Sequence, residues 1–114
     1  MQIEALTTAL VGAALDAAEL RHRVIAANIA NAGAAGYARQ TVSFEAQMDA
    51  LSTTATPAAP EVVPALGPGG EPMPVRLDQE AVDMAANSLQ YQALLKTLAR
   101  HYGVLHSAVT EGKR

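Results

Sequence analysis

Three histidines and two serines are the side chains with the most obvious capacity for chemistry. His101 and His106 are five residues apart, which places them on different faces of a helix, whereas helical metal ligands are usually three or four apart. His22 has no cluster of carboxylates near it beyond Glu19. This spacing predicts solvated or interface histidines and no metal site.

Nucleophilic catalysis has no better support in the sequence. Ser88, Ser107 and His101 fall on one predicted helix, without a glycine-rich elbow or a carboxylate spaced to orient the histidine. The glycine-rich segment 67–70 lacks the lysine and the following helix of a phosphate-binding loop. We therefore expect no enzymatic activity, no catalytic residue and no cofactor. The function must come from the elements that carry these side chains.

Two apolar stripes bracket the chain, one near each end, and both alternate spacings of three and four. Such alternation is typical of helices that pack along a shared seam, as in coiled coils. The stripes are Ile3, Leu6, Leu10, Ala13, Ala17, Leu20, Val24 and Ala27, and Met84, Ser88, Tyr91, Leu95, Leu98, Tyr102, Leu105 and Val109. We expect an assembly seam formed by Leu6, Leu10, Leu20, Val24, Tyr91, Leu95, Leu98, Tyr102 and Leu105.

The pattern predicts a mainly α fold in which long N- and C-terminal helices pair as an antiparallel, coiled-coil-like hairpin. The predicted parts are an N-terminal helix at 1–32, an insert at 33–77 and a C-terminal helix at 78–114. Asp78 is a suitable N-cap for the second helix. Because the chain's six prolines all lie within 52–74, we expect that segment to be irregular, with at most a short edge strand at Val62 and Val63.

Other parts of the insert have clearer local signals. Alternation predicts an extended stretch at 41–44, and a helical turn is predicted at 45–51. Before them, Gly33 and Gly36 suit a turn, and Tyr37 offers a ring that can bury against the helices. We expect this corner to end the first helix and to redirect the chain. Asn31 is interpreted either as the helix C-cap or as a polar seam residue that fixes register, and both roles stay open.

Composition limits what the chain can do alone. Half of its 114 residues are hydrophobic, alanine is their largest component, and there is no Trp and one Phe. Alanine removes little apolar area from water, so we expect a weakly stable monomer that neighbours complete. The net charge is −3 and the positive residues do not cluster, which argues against nucleic-acid binding.

The absence of cysteine excludes disulfides and thiolate metal sites. The longest uncharged apolar run near the start, 5–15, is shorter than the roughly 20 residues that span a bilayer. A signal-peptide core is an alternative interpretation of this run. However, Glu4 precedes it and no Lys or Arg does, which is the reverse of the usual secretory pattern.

Two segments resemble the bacterial flagellar axial proteins, the rod and hook family. In residues 26–37, Asn28 and Asn31 form an Asn-x-x-Asn motif that Gly36 and Tyr37 follow, although alanines stand where the family usually has Thr-Pro. Residues 75–80 and 84–95 are similar to the proximal-rod members. The short insert also suits those members, because hook and distal-rod proteins carry larger middle domains.

The resemblance implies a structural subunit of the periplasmic basal-body rod, in which terminal helices line a hollow helical tube. Such a tube transmits torque and passes exported subunits. The implied partners are copies of the chain, other proximal-rod proteins, the rod-to-membrane-ring adaptor and the type III export apparatus, which exports the subunit without a cleaved signal. No nucleic acid or small-molecule substrate is implied. A sister proximal-rod protein and a non-flagellar helical-hairpin adaptor or chaperone are the open alternatives.

Overall fold

Two long helices joined by a small sheet make up the structure. The computed structural model describes residues 2–44, 47, 49, 50, 53 and 58–112. Helices α1 (Gln2–Ala30) and α2 (Leu77–Gly112) pack against each other. Strands β1 (Gln40–Ser43) and β2 (Glu61–Pro64) form an antiparallel two-stranded sheet. The predicted mainly α hairpin with a short β-containing insert is confirmed.

Helix α1 ends in a series of tight turns. The amide of Asn31 still donates to Ala27 O at 3.0 Å, and the amide of Tyr37 donates to Ala34 O at 3.2 Å. Gly36 has φ +78°, a conformation that side chains resist, whereas Gly33 does not have a positive φ. The corner therefore depends on Gly36.

Helix α2 begins one residue before the predicted boundary. The amide of Glu80 donates to Arg76 O at 2.9 Å, which makes Arg76 the residue that precedes the helix. Asp78 lies inside the first turn, where its Oδ1 accepts the adjacent amide of Gln79 at 2.9 Å. The assignment of Asp78 as N-cap was therefore wrong, and Asp78 instead places negative charge at the positive end of the helix dipole.

The insert contains more regular structure than its prolines suggested. Strands β1 and β2 pair with Thr41 opposite Val63 and Val42 opposite Val62, and a further bridge joins Leu66 to Pro72. The edge strand expected at Val62 and Val63 is confirmed and extends over Glu61–Pro64, while 67–71 has turns and no strand. Proline is tolerated at strand ends and edges, where no ladder donor is needed. Most of the helical turn predicted at 45–51 lies outside the described residues.

The apolar core is small, as the composition predicted. Its buried members are Ala13, Ala17, Ala18, Val24, Ile25, Val42 and Ala65. Four polar side chains, those of Asn28, Gln47, Glu80 and Asn87, are buried as well. Helical hydrogen bonds and these polar contacts therefore hold together a body that measures 66 × 30 × 18 Å.

Candidate functional site

A buried ion-pair network fastens the insert to the start of α2. The Glu80 side chain is completely buried, and its Oε1 accepts the Nε–H of Arg39 at 2.5 Å. Arg39 Nη2 also donates to Asp83 Oδ2 at 3.1 Å. A buried carboxylate is tolerated only when it is paired and hydrogen-bonded. The buried Glu80 carboxylate therefore needs the Arg39 guanidinium as its partner, and the same contact holds Arg39 in place.

Asn28 connects the same network to the end of α1. Its side-chain oxygen accepts the backbone amide of Gln40 at 3.0 Å, and its Nδ2 donates to the Gln40 carbonyl at 2.9 Å. The carboxamide therefore takes the place of a neighbouring strand at the free edge of β1. Nδ2 also lies 3.4 Å from Glu80 Oε2, and the Tyr37 hydroxyl donates to Asn28 Oδ1 at 3.0 Å. We call Asn28, Tyr37, Arg39, Gln40, Glu80 and Asp83 the polar corner.

The polar corner contains part of the predicted family motif. Asn28 and Tyr37 contact each other, and Gly36 supplies the turn between them. Asn31 lies outside the corner, where its Nδ2 donates to Ala27 O of its own helix at 2.8 Å. Its side chain thus bonds a carbonyl in the last turn of α1, and its role in assembly register stays a prediction.

Sequence reasoning did not identify Arg39, Gln40, Glu80 or Asp83 as members of a buried network. The alternating spacing of the predicted stripe continues back from Met84 to Ala81, so it gives no signal for Glu80. No local signal marks Arg39 either. Its pairing depends on the turn at Gly36, which brings the segment after α1 against the start of α2.

Arg21 stabilises the region beside the polar corner. Its guanidinium stacks on the Phe44 ring at 4.3 Å from the centroid, and Nη1 donates to Gln90 Oε1 at 3.2 Å. Burial lowers the pKa of the Arg21 guanidinium, and the negative charge of Asp83 partly offsets this effect. A cavity of about 270 Å³ lies between Arg21, Arg39 and the two helices.

The face of α2 that packs on α1 is unexpectedly polar. Glu80, Asn87, Leu94 and His101 follow each other at intervals of seven residues, so they share this face. Asn87 Nδ2 donates to Ala18 O at 2.8 Å. Asn87 Oδ1 and His101 Nε2 are buried and have no hydrogen-bond partner among the described residues.

The residues of the predicted assembly seam separate into two groups. Val24 is buried, and Leu20, Tyr91, Leu98 and Leu105 are half-buried. Leu6, Leu10, Leu95 and Tyr102 are between 42% and 53% exposed. The first group therefore packs within the chain, whereas the second faces solvent. Whether either group contacts other subunits stays a prediction.

No family model matches this sequence, and no curated protein is significantly similar to it.

Within the part of the chain that the structure describes, no group of three or more His, Asp or Glu side chains is arranged to hold a metal ion. Across the same residues, neither long helix is apolar enough over its length to span a bilayer. Large apolar side chains are exposed on both helices, among them Ile3, Leu6, Leu10, Leu95, Tyr102 and Val109, and they form a candidate contact surface.

Proposed function

We propose that this chain is a structural subunit of the bacterial flagellar basal-body rod, similar to flagellar basal-body rod protein B of the proximal rod. The observation that carries the proposal is the outward placement of large apolar side chains on a helix whose inner face is polar. Leu95, Tyr102 and Val109 of α2 are 43%, 53% and 60% exposed, while Asn87 and Glu80 are buried. A subunit of this kind gains most from neighbours that cover its outer face.

The resemblance of residues 26–37 to the rod and hook family adds specificity to the proposal. In the structure, Asn28 Oδ1 accepts hydrogen bonds from the Tyr37 hydroxyl and the Gln40 amide, and Asn28 Nδ2 donates to the Gln40 carbonyl. These contacts give the motif a physical role, because they end α1 and fix the direction of the insert. A fixed angle between the helical hairpin and the insert is what a repeating subunit of a tube requires.

In the proposed assembly, α1 and α2 of successive subunits pack side by side and line a hollow tube that crosses the periplasm. Contacts between different surfaces of identical subunits form a ring where the rotation closes and an open helical assembly where it does not, and a rod is the second case. The subunit reaches the rod through the type III export apparatus and contacts other proximal-rod proteins and the ring adaptor. Torque passes through the packed helices, and the channel remains open to exported subunits.

Genetic complementation with matched charge variants tests this proposal. Leu98 is half-buried in the helical pair, whereas Leu66 is 55% exposed in the insert. In a strain that lacks the gene, we expect Leu98→Asp to abolish motility and rod incorporation, because an unpaired charge is costly in a packed seam. Leu66→Asp should retain both. Normal motility of the deletion strain, or normal rods with Leu98→Asp, would contradict the proposal.

Two alternatives keep the same fold. The sister proximal-rod protein C shares the helical ends, and loss of a different rod segment in the deletion strain would identify it. A helical-hairpin adaptor or chaperone is favoured by the pocket of about 280 Å³ beside Tyr91, which has room for a side chain of a partner. An adaptor would stay monomeric at high concentration in sedimentation experiments and bind one partner helix, whereas a rod subunit should self-associate.

A further inference from the structure

Two apolar stripes are exposed at the end of the hairpin that lies away from the polar corner. The α1 stripe consists of Ile3, Leu6 and Leu10, which are 80%, 42% and 43% exposed. The α2 stripe consists of Leu95, Tyr102 and Val109. The α1 stripe spans seven residues, about 10 Å of helix, and the α2 stripe spans 14 residues, about 21 Å. The α1 stripe is therefore about half as long as the α2 stripe.

The stripes lie on opposite sides of the helical pair. Leu10 lines a cavity together with Phe44 and Gln47 of the insert, so the α1 stripe is on the insert side. Ser88, which is seven residues before Leu95, lines the pocket on the other side with His22. Among the described residues, only those of α1 and α2 line that pocket. Because helical residues seven apart share a face, the α2 stripe continues this second side.

The two helix segments that carry the stripes have opposite charge. Residues 2–20 contain Glu4, Asp16 and Glu19 and no basic residue, whereas residues 84–110 contain Lys96 and Arg100 and no acidic residue. Asp16, Lys96 and Arg100 are exposed, and none of the three forms an ion pair with a described residue. Complementary charge of this kind favours one pairing of surfaces over others.

We infer that the α1 stripe of one copy packs on the α2 stripe of the next copy of the same chain. Because the paired surfaces differ and lie on opposite sides, the contact repeats in one direction and does not form a closed two-fold dimer. This inference rests on the proposed function, for which it names the surfaces that join neighbouring subunits. The occupant of each stripe is thus a second copy, and each copy uses both stripes at once.

Disulfide cross-linking tests the contact cleanly, because the chain contains no cysteine. Leu6→Cys and Tyr102→Cys place one thiol in each stripe, and Val62→Cys, at a position that is 47% exposed in the insert, is the matched control. The purified full-length variants are oxidised singly and in pairs. We expect a cross-linked dimer, about twice the 11.8 kDa of one chain, when Leu6→Cys and Tyr102→Cys are mixed. Neither variant alone, nor either one mixed with Val62→Cys, should give it.

The double variant with Leu6→Cys and Tyr102→Cys in one chain should form a ladder of higher multiples. Dimers from either single variant would indicate a two-fold contact and overturn the inference. Equal cross-linking to Val62→Cys, or no cross-linking in the mixture, would overturn it too. If the chain passes the complementation test and fails the cross-linking test, the proposed function would stand, and other surfaces would join the subunits. If the chain instead forms the ladder but does not rescue rod formation, the contact would stand and the flagellar function would be wrong.

Discussion

The two ends of the hairpin are built on opposite principles. At the polar corner, the side chains of Glu80 and Asn28 are fully buried, and the Glu80 carboxylate is bonded by side chains 41 and 52 residues away in sequence. At the far end, residues 2–10 of α1 lie alongside the last turns of α2, and Ile3, Tyr102 and Val109 are more than half exposed. At the polar corner the chain therefore supplies partners for the buried side chains of Glu80 and Asn28, whereas at the far end it leaves large apolar side chains exposed.

The polar corner is stabilised within the chain, whereas the far end is the part that we expect neighbouring subunits to stabilise. The polar corner requires only residues of the same chain, because Arg39 and Asn28 satisfy Glu80 from the insert and α1. At the far end, no residue of 3–10 or 102–112 is fully buried, so burial there is incomplete. The proposed assembly therefore predicts that the chain holds its shape at the polar corner and completes its folding at the far end on assembly.

Amide hydrogen exchange on dilute monomer should show the largest contrast between the two ends. Opening free energies range from near zero at fraying termini to the global value in the best-packed elements. We expect amides of 24–30 and 80–91 to exchange only through global unfolding, and those of 3–10 and 102–112 to exchange almost freely. Strong protection across 3–31 in a proven monomer would show that the far end is stable without neighbours.

Arg39→Met should have the largest effect of any single substitution on the folding free energy. Removing one partner of a buried ion pair leaves an uncompensated charge and costs about 3–5 kcal/mol. The matched control is Arg76→Met, because Arg76 pairs with Asp78 at 3.3 Å between side chains that are 68% and 75% exposed. Exposed pairs contribute about 0–1 kcal/mol.

Urea denaturation followed by circular dichroism measures both variants. A second substitution, Glu80→Gln, should restore part of the stability that Arg39→Met loses, because it removes the buried charge. Similar midpoints for the Arg39 and Arg76 variants would mean that Glu80 is reached by water, and the contrast between the two ends would lose its basis.

The sequence predicted the two ends unequally well. The 3-4 spacing of Leu6, Leu10 and Leu98 reports a helix whatever surrounds it, so both long helices and their antiparallel pairing followed from local pattern. Glu80 and Arg39 are 41 residues apart, and nothing local distinguishes a buried carboxylate from a solvated one at a helix start. Hydrophobic spacing also cannot tell which apolar row of α2 faces α1. The half-buried row contains Tyr91, Leu98 and Leu105, and the exposed row beside it contains Leu95, Tyr102 and Val109.

Gly36→Val should have a smaller effect, because it strains one turn without leaving a buried charge. A side chain in the left-handed conformation costs about 1–2 kcal/mol, and β-branching adds to the strain. Gly33→Ala is the matched control, since Gly33 has an ordinary φ and nothing lies within 4 Å of an added Cβ. At such a site, alanine raises stability by about 0.4–1 kcal/mol.

Thermal unfolding of the two glycine variants gives the comparison directly. We expect the midpoint to fall for Gly36→Val and to stay or rise for Gly33→Ala. Equal destabilisation by both would show that the whole loop 33–36 resists side chains and that the corner does not depend on a single residue.

The smallest effect on the monomer should come from Tyr102→Gln, and the same change at Tyr91 is its matched control. Tyr91 is half-buried and lines the pocket near Asn87, whereas Tyr102 is 53% exposed. Substitution of an exposed helical residue changes stability by no more than about 0.5 kcal/mol, while removal of a partly buried ring should cost about 1 kcal/mol or more. Urea midpoints should therefore fall for Tyr91→Gln alone.

In assembly we expect the opposite order, with a larger effect for Tyr102→Gln than for Tyr91→Gln. This reversal would separate the exposed far end from the packed part of the hairpin. An aromatic side chain that is exposed in the monomer contributes only when a neighbour covers it, and aromatic anchors often dominate the energy of an interface. In sedimentation of concentrated protein, Tyr102→Gln should therefore lose more self-association than Tyr91→Gln does, although its monomer is the more stable of the two. Unchanged association of Tyr102→Gln would place this ring outside the contact between subunits and leave its exposure without a function.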